Sequence, residues 1–225
     1  MYENGYVPPI LTVDNVIFQI IDGHLSVLLI KRSQEPFKGI YALPGGYCAA
    51  GETTRAAMGR ILETKAGIDV TKLKLTEQLY SFDTVARDPR GHAVSITYMG
   101  LGKDLMIHDS ETVQSPEFFR LSDLPKLAYD HKAIIKYAHE RLQSKLSYTN
   151  AVFALLDQFF TLTQLQTVYE AILCRRLDKR NFRKKILTLD LVHDTNERLQ
   201  DGAHRPARLF RFNKQALESL SRNFD

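Results

Sequence analysis

Residues 42–68 of the chain read ALPGGYCAAGETTRAAMGRILETKAGI. The first part, Ala42-Leu43-Pro44-Gly45-Gly46-Tyr47, is a short strand interrupted by proline and glycine. From Glu52 to Lys65, the residues Ala56, Ala57, Arg60, Ile61 and Leu62 suit a helix. Gly67 is placed to end it, because glycine takes the left-handed backbone of a helix terminus without a Cβ penalty. Strand, glycine loop and helix therefore follow in that order.

Upstream, Leu11–Ile21 and Leu25–Ile30 are rich in β-branched residues, and Asp22-Gly23 between them is a hairpin signal, so the first two strands pair antiparallel. Downstream, Leu75–Phe82 and His92–Leu101 are further strands, separated by the polar loop Arg87-Asp88-Pro89-Arg90-Gly91. Ile134, Ile135, Tyr137, Ala138 and Leu142 make Asp130–Leu146 an amphipathic helix, which closes an α+β first domain spanning residues 1–146.

Over 225 residues the chain is 44% hydrophobic, 25% charged and 10% aromatic, which excludes the disordered, collagenous and disulfide-stapled classes. Cys48 and Cys174 lie far apart and outside any CxxC or Cys/His cluster, so neither a zinc site nor a disulfide framework is expected. The start of the chain lacks a basic region followed by an apolar one, and no apolar run nears the roughly 18 residues that span a bilayer. A cytoplasmic protein is expected, with no membrane contact.

After residue 146 strands give way to short helices. Thr163 and Gln166 form a capping box ahead of Leu165, Val168, Tyr169, Ile172 and Leu173. Asp178 caps a second helix, with Leu177 and Phe182 placed as a hydrophobic staple, and only Cys174-Arg175-Arg176-Leu177 separates the two. Leu191–Asp194 and Arg208–Phe212 then read as a two-stranded hairpin with a long tip. Helix, tight turn, helix and hairpin make a winged helix-turn-helix over residues 147–225.

Charge divides the same way. Residues 1–146 carry 17 Lys and Arg against 17 Asp and Glu, while residues 147–225 carry 13 against 9, so the whole net +4 sits in the last third. Between Arg175 and Lys185, seven of eleven residues are Arg or Lys. At helical spacing Phe182, Ile186 and Leu189 share one face, while Arg180, Arg183 and Lys184 gather opposite. Arg, Lys and Asn bond guanine and adenine edges or phosphate, so Lys179, Arg180, Asn181, Arg183 and Lys184 are a candidate recognition surface. The hairpin adds Arg198, His204, Arg205, Arg208 and Arg211, as a wing on phosphates or the minor groove would. Double-stranded DNA is the expected partner, and the protein is expected at the nucleoid.

The stretch from Gly46 to Ile68 resembles the Nudix box, with Gly46, Glu52, Arg60, Leu62, Gly67 and Ile68 on its pattern. The resemblance implies a mixed sheet with flanking helices. In active Nudix hydrolases the box glutamates hold divalent cations, which needs several carboxylates on one helix face. At those positions this chain has Ile61, Thr64 and Lys65, and Glu63, about 100° round the helix from position 64, points off the face. Only Glu52 stays in register. No catalytic residue, metal or cofactor is therefore expected, and hydrolysis is lost while the pocket is kept.

A diphosphate can still be met there by the Gly45-Gly46 backbone and by Arg32, Arg60 and Lys65. Two of these cations have a second reading: Arg60 pairs with Glu52 inside the box, and Arg32 is a solvated cation at a strand end.

The whole chain resembles the Nudix-related transcriptional regulators of bacterial NAD metabolism, the NrtR family. Beyond the box, the likeness rests on Glu35–Gly39, Arg87–Gly91 with Val94–Ile96, Phe160–Thr163, Leu177–Lys185 and Gly202–Ala207. It implies a homodimeric repressor on palindromic operators of NAD synthesis or salvage genes, whose DNA affinity falls when ADP-ribose or a related nucleotide binds the Nudix domain. The effector contacts expected on that basis are Arg32, Gly45, Gly46, Tyr47, Glu52, Arg60, Lys65, Arg87 and Arg90, and Thr161, Thr163, His204, Arg205 and Arg208 join the recognition helix on DNA. Two alternatives stand beside this one: an active ADP-ribose pyrophosphatase, and a Nudix-type regulator of sugar catabolism with a pentose-related effector.

Overall fold

A computed structural model describes residues 6–108, 115–199 and 206–220. The opening hairpin forms as expected. Strand β1 (Ile10–Ile21) pairs antiparallel with β2 (His24–Lys31), and Asp22 and Gly23 both take positive φ, +50° and +75°, as a two-residue turn matched to strand twist requires. The broken strand splits into β3 (Tyr41–Ala42) on β2 and β4 (Gly45–Tyr47) on β1. Strand β5 (Leu75–Phe82) pairs antiparallel with β6 (Ala93–Leu101), β6 runs parallel to β1 from Ile10 opposite Ala93 to Phe18 opposite Leu101, and β7 (Glu117–Arg120) adds to β2. The sheet is therefore mixed.

Alternation along the strands gives it two apolar faces. Val13, Ile17 and Leu28 pack on one side against Ala57, Met58, Ile61 and Leu62 of helix α1 (Thr54–Ala66). Val16, Phe18, Val27 and Leu29 pack on the other against Ile134, Ile135, Ala138 and Leu142 of helix α2 (His131–Lys145). Helix α1 ends at Gly67, φ +63°, where a Cβ would lie 2.8 Å from that of His108. Both the backbone angle and the space require glycine there.

The second apolar face does not stop at α2. Residues Ala151–Leu155 form a buried 3-10 turn, and Phe160 follows, 1% exposed. They join the α2 face to Leu165, Val168 and Ile172 of helix α3 (Leu162–Leu173), to Phe182 and Ile186 of helix α4 (Lys179–Thr188), and to the hairpin β8 (Val192–Leu199) and β9 (Ala207–Phe212) through Phe210 and Phe212. One continuous core thus runs from the mixed sheet to the winged helix. Polar ties reinforce it: Lys74 Nζ donates to the Leu156 carbonyl at 2.7 Å, Lys103 pairs with Asp157 at 2.9 Å, and Lys145 pairs with Glu77 at 2.7 Å.

Two local expectations are corrected. The capping box of α3 is Thr161 with Gln164, not Thr163 with Gln166: Gln164 N donates to Thr161 Oγ1 at 3.1 Å, and Gln164 Oε1 accepts from Thr161 N at 2.7 Å. Both pairs fit the sequence pattern, but only the earlier start brings Leu162 into the helix as a buried first-turn residue. Gln166 instead donates to Glu170 and to the Leu177 carbonyl, holding the turn between the helices. Thr161→Ala is therefore expected to lower stability by about 1 kcal/mol and Thr163→Ala by less than half that, read from urea midpoints. The other correction concerns Leu189, which is the C-cap of α4 and 40% exposed rather than packed with Phe182 and Ile186, because the helix stops there.

Candidate functional site

The carboxyl end of β2, the β4 turn, the last turn of α1, the β5–β6 loop and the approach to α2 enclose a polar cavity of about 170 Å³. That is below the roughly 300–1,000 Å³ of an ordinary small-molecule site, so a nucleotide would extend over the open rim. Arg32, Gly45, Gly46, Tyr47, Lys65, Arg87 and Arg90 all line it. Glu52 and Arg60 do not.

Arg60 takes its intrabox reading. Its Nε and Nη2 donate to the two Glu52 oxygens at 2.7 Å each, and Nη2 also donates to the Tyr47 carbonyl at 2.9 Å. Glu52 Oε2 accepts from Ala49 N as well, and these bonds, Arg60's foremost, pull its carboxyl down to about 2. The pair splints the loop that carries Gly45 to Tyr47.

The cavity floor is Asp14, the one carboxylate in β1 and buried. Its Oδ2 accepts from Ser95 Oγ at 2.6 Å and from Arg87 Nη2 at 3.3 Å, and Arg87 also grips both oxygens of Asp130 at 2.8 and 3.0 Å. Gly45 is the partner of Asp14 on β4, and a Cβ there would come within 2.0 Å of Asp14 Oδ1, so a larger residue would force the carboxylate out of its place. His131 Nδ1 accepts from Leu43 N at 2.9 Å, and burial holds the imidazole well below its usual pKa. Arg87 is thereby a wall brace. Arg90 is clamped by Asp88 at 2.7 Å and donates to Tyr47 Oη at 2.9 Å, leaving a half-open guanidinium at the rim.

Lys65 differs from these cations. It is half-buried in the cavity wall and makes no hydrogen bond or ion pair among the described residues. Burial lowers its pKa and Arg32 lowers it further, against a smaller pull from Asp14. Arg32 itself donates to the carbonyls of Pro36 and Gln34 and stacks 5.0 Å from the Tyr129 ring. Of the other altered box positions, Ile61 is in the core and Thr64 Oγ1 bonds back to the Arg60 carbonyl. Among the described residues no group of three or more His, Cys, Asp or Glu is arranged to hold a metal ion, and the donor set does not fit one. Asp14, Asp88, Tyr129 and His131 were not singled out from sequence. The one signal was Asp14, the lone carboxylate in a mostly apolar strand.

The second site is on α4. Asp178 Oδ1 accepts from Asn181 N at 2.8 Å, fixing the helix start, and Phe182 packs edge-on to Tyr169 with ring centroids 5.2 Å apart. That turns Lys179, Arg180, Asn181 and Lys184 to the surface. Arg183 leans back on α3, its Nη2 3.5 Å from Thr163 Oγ1. Thr161 is spent on the α3 cap, and Arg208 pairs with Asp194 at 3.1 Å while staying largely exposed. His204 and Arg205 lie outside the described residues. Among the described residues no helix is long and apolar enough to cross a membrane.

Comparison with known proteins matches residues 11–138 to the NUDIX domain and residues 152–212 to the NrtR DNA-binding winged helix domain. A relative from Acinetobacter baylyi, named ADPR responsive transcriptional repressor NtrR, is 36% identical over 230 residues, covering 99% of this chain and 88% of its own. An ADP-ribose pyrophosphatase of Methanocaldococcus jannaschii is 41% identical over 133 residues, 58% of this chain and 73% of its own. The NrtR of Shewanella oneidensis, solved with a 27mer DNA, superposes with a TM-score of 0.76 at 31% identity over 90% of this chain and 93% of that one. Its NUDIX domain, solved with ADP ribose, gives 0.56 at 32% identity over 63% and 94%. With a NUDIX domain and an NrtR winged helix in one chain, and a full-length relative at 36% identity, this protein belongs to the NrtR family.

Proposed function

We propose that the protein is a homodimeric transcriptional repressor of NAD biosynthesis or salvage genes, acting on DNA at the nucleoid, whose NUDIX domain senses ADP-ribose or a related nucleotide without hydrolysing it. The carrying observation is Lys65: where a hydrolase keeps a metal-holding carboxylate, this chain puts an unpaired, half-buried ammonium into the cavity. The pull of Asp14 on this group is smaller than the cost of its burial, and a diphosphate supplies a direct anionic partner. Arg32, Gly45, Gly46, Tyr47 and Arg90 complete the contacts, while Glu52, Arg60 and Arg87 shape the wall.

The test is calorimetric titration with ADP-ribose in EDTA. Wild type is expected to bind, and Lys65→Met to bind at least about ten-fold more weakly, the scale of one charge-assisted hydrogen bond. Because methionine removes an unpaired cation and keeps the stem, the variant is expected to be no less stable. Binding that requires Mg²⁺ and releases AMP would instead return the protein to the pyrophosphatases.

Residues 147–225 are the DNA-reading part in this proposal and residues 1–146 the sensor, although the core crosses that division. Helix α2 joins them: it begins at His131 on the cavity, and His139 Nε2 and Gln143 Nε2 donate to the Ile172 carbonyl at the end of α3, at 2.6 and 2.9 Å. A two-fold dimer sets two recognition helices one helical turn of DNA apart, roughly 34–36 Å. Ligand shifts their spacing only as far as it prefers one state over the other. On a selected operator, Asn181→Ala is expected to cost about 1–3 kcal/mol and little on random duplex, whereas Lys184→Ala weakens both and flattens the salt slope by about one. Equal losses for Asn181→Ala on both duplexes would make it a phosphate contact.

A further inference from the structure

The Tyr129 hydroxyl is buried and has no hydrogen-bond partner among the described residues. A buried hydroxyl without a partner is uncommon and calls for a ligand or a water. This one belongs to a side chain that lines the effector cavity beside Arg32, Lys65 and Arg90. The ring is held from three sides: edge-on by Phe37 at 4.8 Å, by His131 at 5.3 Å, and by the Arg32 guanidinium at 5.0 Å. Its backbone sits at φ +53° and that of Phe37 at φ +67°, a region that bulky side chains rarely occupy and that persists where the surroundings enforce it. Packing explains the ring. It does not explain the oxygen, since phenylalanine would make the same ring contacts without a stranded polar atom.

We propose that Tyr129 is a specificity-determining residue of the nucleotide site, its hydroxyl donating a hydrogen bond to a phosphate oxygen of the diphosphate effector. This rests on the effector reading above and adds to it a neutral donor among cations. Burial pushes the phenol up, against the opposing pull of Arg32 and Arg90, so the group stays protonated and able to donate. A phosphate oxygen is the partner chosen because the cavity's carboxylates, Asp14 and Asp88, are already held by Arg87 and Arg90, which leaves Lys65 and the remaining face of Arg32 to gather anionic ligand atoms.

The experiment compares wild type with Tyr129→Phe by calorimetry in EDTA, using ADP-ribose and then inorganic pyrophosphate as competitor. Tyr129→Phe is expected to bind both ligands about ten-fold more weakly, the loss of one hydrogen bond to a charged acceptor. The ligand-free variant is expected to melt at or above the wild-type temperature, a result that separates a lost ligand contact from a damaged wall. Unchanged affinity for ADP-ribose in the variant, with wild type binding it, overturns the assignment of Tyr129 alone. Weaker ADP-ribose binding with unchanged pyrophosphate competition also overturns it, by moving the hydroxyl onto a ribose. A wild type that binds neither ligand overturns the effector reading itself, and this proposal with it.

Discussion

Replacing Arg87 with methionine is expected to lower the unfolding free energy by about 3–5 kcal/mol, read from urea denaturation. Arg87 is buried between two carboxylates, Asp14 and Asp130, with three hydrogen bonds to them. Taking it away leaves Asp14 buried with the Ser95 hydroxyl as its remaining close donor, since His131 Nε2 is 3.6 Å away. The penalty comes from that stranded charge and not from the worth of the pair, because a buried pair contributes little net stability while an unpaired buried ion is costly. Arg90→Ala supplies the contrast. Its side chain is 40% exposed, and Asp88, although buried, keeps the backbone N–H of residue 90 at 3.0 Å after truncation, so a smaller loss than for Arg87 is expected. Equal losses for the two variants would show that Arg87 is no brace and that the cavity floor is solvated.

Phe160→Ala is expected to cost a similar amount, about 3–5 kcal/mol, and to do so on a single unfolding transition. Phe160 packs on Phe212 with centroids 4.9 Å apart, and its backbone exchanges hydrogen bonds with Phe210 at 2.9 and 2.7 Å. The same side chain belongs to the core that holds Val16, Phe18 and the inner face of α2. A void there loosens the sheet and the winged helix together. Circular dichroism and tyrosine fluorescence are therefore expected to report coincident transitions in both proteins, displaced downward in the variant. A variant in which the last third melts early while the sheet keeps its wild-type midpoint would mean two cores.

Much of this was legible in the chain. Asp22-Gly23 marked a turn that the structure builds with two positive φ values, and Gly67 marked a left-handed helix end, because in both places backbone geometry narrows the residue choice. Lys65, Thr64 and Ile61 stand out in the sequence because they occupy positions where the Nudix box has glutamates. What stayed hidden depends on contacts distant in sequence. Two threonines three residues ahead of glutamines gave equal capping signals, and burial of Leu162 chose between them. The apolar run Ala151–Leu155 signals burial, but nothing local in it tells which surfaces it joins. Arg60 and Arg87 look alike as candidate ligand cations. The pairing of Arg60 with Glu52 could be read from the box itself, whereas the neutralisation of Arg87 by Asp14 and Asp130 appears only when segments separated by dozens of residues meet.

The most direct measurement is fluorescence anisotropy of a palindromic operator, selected by the protein from random duplexes, titrated with ADP-ribose in EDTA. A metal-free sensor coupled to a DNA reader requires operator affinity to fall as ADP-ribose is added, with the nucleotide recovered intact. Operator affinity that ignores saturating ADP-ribose, or that changes only when Mg²⁺ is restored and AMP is released, would contradict it.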